Sequence, residues 1–186
     1  MKGIVLRRTS FKNEKVDIAR IIYLAGLTVT FLRSRHETGG ALDAFEVTIP
    51  TTTHSVIAHF HSHYDETVFG VDGITTWTVD GVKTQVGPGQ QLFVPRGSHH
   101  TYANFHPKTA RIICLLTPGM LGPEYFQELA CAMEEDGLID AAAVELVMNR
   151  YGVIPTNIAE LQVKPPAPSI VQKQVLRHSH RGIGAD

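Results

Sequence analysis

From Ile21 to Leu116 the apolar residues come in short runs of β-branched and aromatic side chains, each cut off by turn residues. Runs of that length and kind predict strands. Ile74 to Val79 (I-T-T-W-T-V) is the plainest of them. It is bounded by Asp72-Gly73 and Asp80-Gly81, dipeptides that predict hairpins because glycine reaches positive φ without steric cost. Gly87-Pro88-Gly89 and Pro95-Arg96-Gly97 mark two more turns around Gln91 to Val94, and His106-Pro107-Lys108 marks another. Many short strands with such turns predict a sandwich or closed barrel, an all-β fold.

The pattern changes after Leu116. Tyr125, Phe126, Leu129 and Met133 are spaced near the helical period and predict an amphipathic helix within Pro118 to Asp136. Pro123 falls early in it, where its missing N–H is harmless. Asp140 is a suitable N-cap for Ala141 to Tyr151, and Gly152 a suitable C-cap. Beyond Pro155, Lys164-Pro165-Pro166-Ala167-Pro168 cannot continue a helix. The expected organisation is an N-terminal arm (1–20), a β-barrel (21–116), a C-terminal helical segment (117–155) and an extended or disordered tail (156–186). No internal repeat is visible.

Composition narrows the function classes. A chain of 186 residues that is 43% hydrophobic is long and apolar enough for one domain with a proper core. Seventeen Lys+Arg against 18 Asp+Glu leave a formal charge of −1, so there is no electrostatic footprint for nucleic acid. Ile21 to Val29 is too short to span a bilayer, so no membrane partner is expected. The charged N-terminal stretch lacks the apolar core of a secretory signal. Cys114 and Cys131, the only cysteines, are expected to be reduced thiols in a cytoplasmic protein.

The histidines carry the chemistry. There are ten, and seven lie between His54 and His106. His59 and His61, two apart, share one face of a strand. Glu66 follows after a short turn, and His100 comes from a distant strand. Three imidazoles and a carboxylate suit one divalent transition metal per chain, whether Fe, Mn, Ni, Co, Cu or Zn. The competing reading is a set of interior histidines satisfied by each other and by water. His63 is expected at the rim, His99 at a surface or subunit contact, and His54 and His106 in solvent. His178-Ser179-His180 repeats the spacing, but no glutamate follows it and a solvated basic tail is expected there. Tyr102, Phe69, Trp77, Glu46 and Thr48 are further pocket candidates, with Glu46 expected to face solvent. No phosphate loop is present, and neither Ser nor Cys stands in a strand-turn-helix context for nucleophilic catalysis.

The frame around the histidines resembles the two signature motifs of the cupin superfamily. His59, His61, Glu66 and Gly73 reproduce H-x-H-x4-E-x6-G. Gly89, Pro95, Gly97, His100 and Asn104 reproduce G-x5-P-x-G-x2-H-x3-N at every fixed position. Thr53 stands where the first motif usually opens with glycine, a departure that bears on the turn before the ligand strand. Thr38-Gly39-Gly40, the strand Ala44 to Pro50, Thr117-Pro118-Gly119 and the helix ending Arg150-Tyr151-Gly152 extend the resemblance to single-domain cupins related to quercetin 2,3-dioxygenase, over roughly residues 25–155. The resemblance implies a jelly-roll barrel (double-stranded β-helix) with C-terminal α-helices packed outside, and a homodimer. It implies a metal held by His59, His61, Glu66 and His100, substrate oxygens on that metal, and Glu66 as catalytic base. The expected activity is dioxygenation of a small aromatic or enolisable molecule, an oxidoreductase reaction. One fold hosts many chemistries, so a metal-dependent isomerase or decarboxylase, or a non-catalytic metal- or ligand-binding module, are the alternatives.

Overall fold

The computed structural model of the chain describes residues 20–53, 56–133 and 140–156. All but Arg20 of the expected arm, all but Thr156 of the expected tail, His54 and His178-Ser179-His180 lie outside the described residues.

Eleven strands form two antiparallel sheets among these residues. The larger runs in the order β1 (Ile21–Leu24), β2 (Leu27–Arg33), β3 (Asp43–Ile49), β10 (Ala110–Thr117), β5 (Asp65–Asp72), β8 (Gln91–Val94). The smaller runs β11 (Val153–Pro155), β4 (His59–His61), β9 (His100–Ala103), β6 (Thr75–Val79), β7 (Val82–Val86). The fold is an all-β jelly roll of the cupin type with C-terminal helices. Burial alternates along the strands as the period of two requires: Phe45, Val47 and Ile49 point inward from β3, while Ala44, Glu46 and Thr48 point outward. The core between the sheets is filled by residues such as Val47, Val68, Val94 and Ile112.

One turn behaves as its sequence predicts and one does not. Asp80 and Gly81, at φ 47° and 82°, join β6 to β7 in a two-residue hairpin. Asp72-Gly73 also turns through a positive φ, 64° at Gly73. The strands it joins, however, belong to different sheets, so it is a corner of the barrel rather than a hairpin. The chain passes so close to β10 there that a Cβ on Gly73 would lie 2.6 Å from the Thr109 carbonyl oxygen.

The C-terminal segment does more than cover the outside. Helix α2 (Gly122–Ala132) starts with Pro123 in its first turn and buries Tyr125 and Leu129 against the barrel opening. Helix α3 (Ala141–Arg150) is capped by Asp140, whose carboxylate accepts from the Ala142 and Ala143 N–H groups at 3.1 Å. Gly152 ends it at φ 72°, and β11 then adds an edge strand beside β4. That strand lies in a segment expected to be helical. Three residues after a helix carry too little periodicity to declare themselves; the free edge of β4 selects them.

The start of α2 is anchored to the barrel by one carboxylate. Asp43, fully buried at the start of β3, accepts N–H bonds from Arg35 (2.6 Å), Leu121 (3.0 Å) and Gly122 (3.2 Å). Arg35 opens the short helix α1 (Arg35–Thr38), donates to the Met120 carbonyl at 2.7 Å and pairs with Glu124. No helix among the described residues is long and apolar enough to cross a membrane.

Candidate metal centre

The histidines are brought together by strand register. In the antiparallel pairing of β4 with β9, His59 lies directly opposite His100. Facing residues on neighbouring strands are close enough for their side chains to meet, and the two ring centroids are 4.4 Å apart. His61, two residues on, shares the inward face; its ring is 5.1 Å from that of His59 and 4.8 Å from that of His100. One ring nitrogen from each of the three falls within 4.8 Å of the others, so the three could hold a metal ion. Glu66 faces them from β5 in the other sheet, with Oε2 3.4 Å from His100 Nε2 and 4.0 Å from His61 Nδ1.

The turns lock this arrangement. Gly97, at φ 83°, donates its N–H to the His61 carbonyl at 2.8 Å, which joins the turn before β9 to the end of β4. Arg96 grips Asp65, beside Glu66, with its backbone N–H at 2.9 Å and two guanidinium N–H groups at 3.0 Å. Asn104, fully buried, donates to the carbonyls of Ile49, Pro50 and Lys108 and accepts from the His106 N–H. The last residue of the second motif thus closes the loop after β9. Thr53 stands in for the missing glycine without strain, because the positive φ falls on Thr52 (59°) while Thr53 bridges to Asn104.

Hydrogen bonding sets two of the tautomers. His59 Nδ1 lies 2.7 Å from the Ile57 carbonyl and His100 Nδ1 2.9 Å from the Ser98 carbonyl. A carbonyl only accepts, so Nδ1 carries the proton and Nε2 is left for a cation. Burial and the neighbouring imidazoles push His59 down to about 3, and burial pushes His61 down to about 4. Both are neutral, lone-pair donors at pH 7. Burial works to lower His100 and to raise Glu66, but each is outweighed by the other's presence: His100 is raised, and the His100 and His61 rings hold Glu66 down to about 2. His100 Nε2 nonetheless has no hydrogen bond, since 3.4 Å to the carboxylate is long and it is shut off from solvent. A divalent cation fits this set: it would give a buried, orphaned nitrogen its partner and replace the proton held near Glu66.

Above the histidines lies a cavity of about 270 Å³. Its walls are apolar, with Val29, Val47 and Leu116 from the barrel and Phe126, Leu129 and Met148 from the helices. No Lys or Arg among the described residues lines it. Half-buried His59 is reached from this side. Trp77 does not line the cavity: it is fully buried, donates to Thr75 Oγ1 at 3.0 Å and stacks behind Tyr102 and His100.

The other sequence candidates separate cleanly. Tyr102 lines the cavity. Phe69 and Thr48 point outward, and Glu46 does too, paired with Arg111 at 2.7 Å. His63 is exposed near Gly152; His99 is exposed and packs on Phe60 at 5.0 Å; His106 is half-buried. Sequence reasoning missed most of the cavity wall, including three residues that carry polar or sulfur atoms. Cys114 adjoins Glu66 from β10, and Tyr125 and Met148 arrive on helices. Inward parity along β10 would have flagged Cys114; nothing local marks which helix face closes a barrel.

These features define a β-barrel protein with a histidine cluster at the base of an apolar cavity. Residues 45–116 match the profile of the cupin domain family. Over 74 residues it is 30% identical to quercetin 2,3-dioxygenase of Bacillus subtilis, a stretch that makes up 40% of this chain and 21% of that protein. The chain thus spans about a fifth of the length of that curated relative. Among solved structures, ectoine synthase from P. lautus superposes with a TM-score of 0.52 at 17% identity, over 60% of this chain and 78% of that one. KdgF from Halomonas sp. gives 0.44 at 20% identity, over 50% and 79%.

Proposed function

We propose that His59, His61, Glu66 and His100 hold one divalent transition-metal ion and that the protein is a cytoplasmic dioxygenase of the quercetinase kind. Its substrate would be a small aromatic or enolisable molecule. The observation that carries this is the nature of the cavity: three converging imidazoles at the base of apolar walls with no fixed cation. A substrate bearing a second anionic group would be buried there without a counter-charge, which costs several kcal/mol. A neutral aromatic ring meets no such penalty. The bound ion would supply Lewis acidity and coordination positions for oxygen donors. The apolar walls exclude water and hold the ring. Glu66 is the one carboxylate among the described cavity-lining residues, ionised and in reach of an oxygen beside the histidines. A carboxylate held near 2 is a weak base, so it takes a proton only from a strongly acidified hydroxyl.

Glu66→Gln keeps the size and a ligating oxygen but removes the basic one. Metal content should stay near one per chain while O2 uptake falls roughly 10²-fold or more, both measured on the same sample with flavonols and other enolisable aromatics. Undiminished uptake with full metal would remove Glu66 as base. No uptake by the wild type with any reconstituted metal would transfer the reading to an isomerase, a decarboxylase or a binding module.

The proposed assembly is a homodimer. The outward face of the large sheet supports it: Ile113 on β10 stands opposite Phe69 on β5, and Leu115 stands in one row with Thr67 and Phe93. Phe69 and Phe93 are 37% and 57% exposed, a cost that a second copy would remove. Light scattering at micromolar concentration should give about twice the 20.5 kDa of one chain. A mass near 20.5 kDa would refute the dimer.

A further inference from the structure

Two phenols face the cavity and hydrogen-bond to no described residue. Tyr102 leaves β9 on the same side as His100 and lines the cavity, its ring stacked on Trp77 at 4.7 Å. Tyr125 reaches the same cavity from α2; it is 6% exposed, with its ring edge-on to Phe126 at 4.9 Å and to Tyr151 at 5.4 Å. Neither hydroxyl makes a hydrogen bond to a described residue. Phenylalanine would pack against the same neighbours, so packing does not account for the oxygens. A phenol is an O–H donor at neutral pH, so each can donate. A donor that faces a mostly apolar cavity, with no acceptor among the described residues, calls for an acceptor from outside the chain.

We propose that Tyr102 and Tyr125 form a second recognition point in the cavity, one from the barrel and one from the helix that closes it. Together they select a compact neutral ring that places one oxygen on the histidines and a hydrogen-bond acceptor at its far end. The span follows from the strand. Tyr102 is two residues beyond His100 on one face, which sets the two points on the order of 7 Å apart. That is the distance across a benzene ring from a hydroxyl to a para carbonyl. The pair would therefore discriminate among ring substrates by their far substituent, a role that the metal ligands alone cannot fill. It rests on the metal reading proposed above.

The test uses the full chain loaded with Zn²⁺, which is redox-inert and does not turn the probes over. Catechol carries only the metal-binding oxygens; 3,4-dihydroxybenzaldehyde adds a para acceptor. Calorimetric titration compares the two probes on wild type, Tyr102→Phe and Tyr125→Phe. Each substitution should weaken the aldehyde about fivefold and leave catechol within about twofold. The double variant should lose more of the preference than either single one. Equal weakening of both probes would show a structural role and overturn the proposal, and so would an unchanged preference in zinc-loaded variants. A wild type that takes up no zinc, or binds neither probe, would sink the metal reading and this inference with it.

Discussion

His100→Ala should lose stoichiometric metal. His100 supplies the one ring nitrogen in the centre that is both sealed from solvent and without a hydrogen bond, and it stands between His59 and Glu66. If four ligands share a binding free energy of about 10–16 kcal/mol, each is worth about 3, or roughly a hundredfold in affinity. Competition with a chelator should show that loss directly. Thermal unfolding gives an independent reading. A ligand at about 100 times its dissociation constant stabilises the wild type by about 2.7 kcal/mol, and this increment should vanish in the variant. The paired variant His59→Ala, His100→Ala should behave the same way with less residual binding. Full metal retention by that double variant would exclude the centre proposed here.

Asp43→Ala should be the most destabilising single change outside the centre. Its carboxylate is fully buried and accepts three backbone N–H groups from two separate segments, the start of α1 and the start of α2. Alanine leaves all three donors shut away from water. At about 1–3 kcal/mol for each unsatisfied group, partly relieved by relaxation, the loss should reach about 3–5 kcal/mol. For a chain of this size that lowers Tm by roughly 10 °C or more. Asp43→Asn keeps an accepting oxygen and should fall between the two. The same variant connects stability to the site, because the segment that Asp43 anchors carries Tyr125 into the cavity. A Tm shift of only a degree or two would show that α2 is held by its apolar face instead.

The motifs were legible because they are local consequences of backbone geometry. The two-residue spacing of His59 and His61 places both on one strand face whatever the rest of the fold does. Gly97 must turn, and Asn104 must satisfy a loop, so their spacing from His100 is constrained within a dozen residues. The capping of α3 by Asp140 is local in the same way. Asp72-Gly73 shows the limit. Its positive φ was readable, but whether the next strand returns beside β5 or crosses to the other sheet depends on partners far along the chain.

The sequence by itself therefore determined the strand-rich barrel, the inward pair His59 and His61, and the candidacy of Glu66 and His100. Each follows from a period or a spacing that the peptide backbone enforces. Only the tertiary structure decided that His59 stands directly across from His100, that Glu66 faces them from the opposite sheet, and that β11 pairs with β4. It alone decided that α2 brings Tyr125 into a cavity that no described Lys or Arg lines. The physical reason is that these facts are registers and packings between segments far apart in the chain, up to the 96 residues from His59 to Pro155. They are set by the joint burial of many side chains, and no local pattern carries a record of which distant surface a given face will meet.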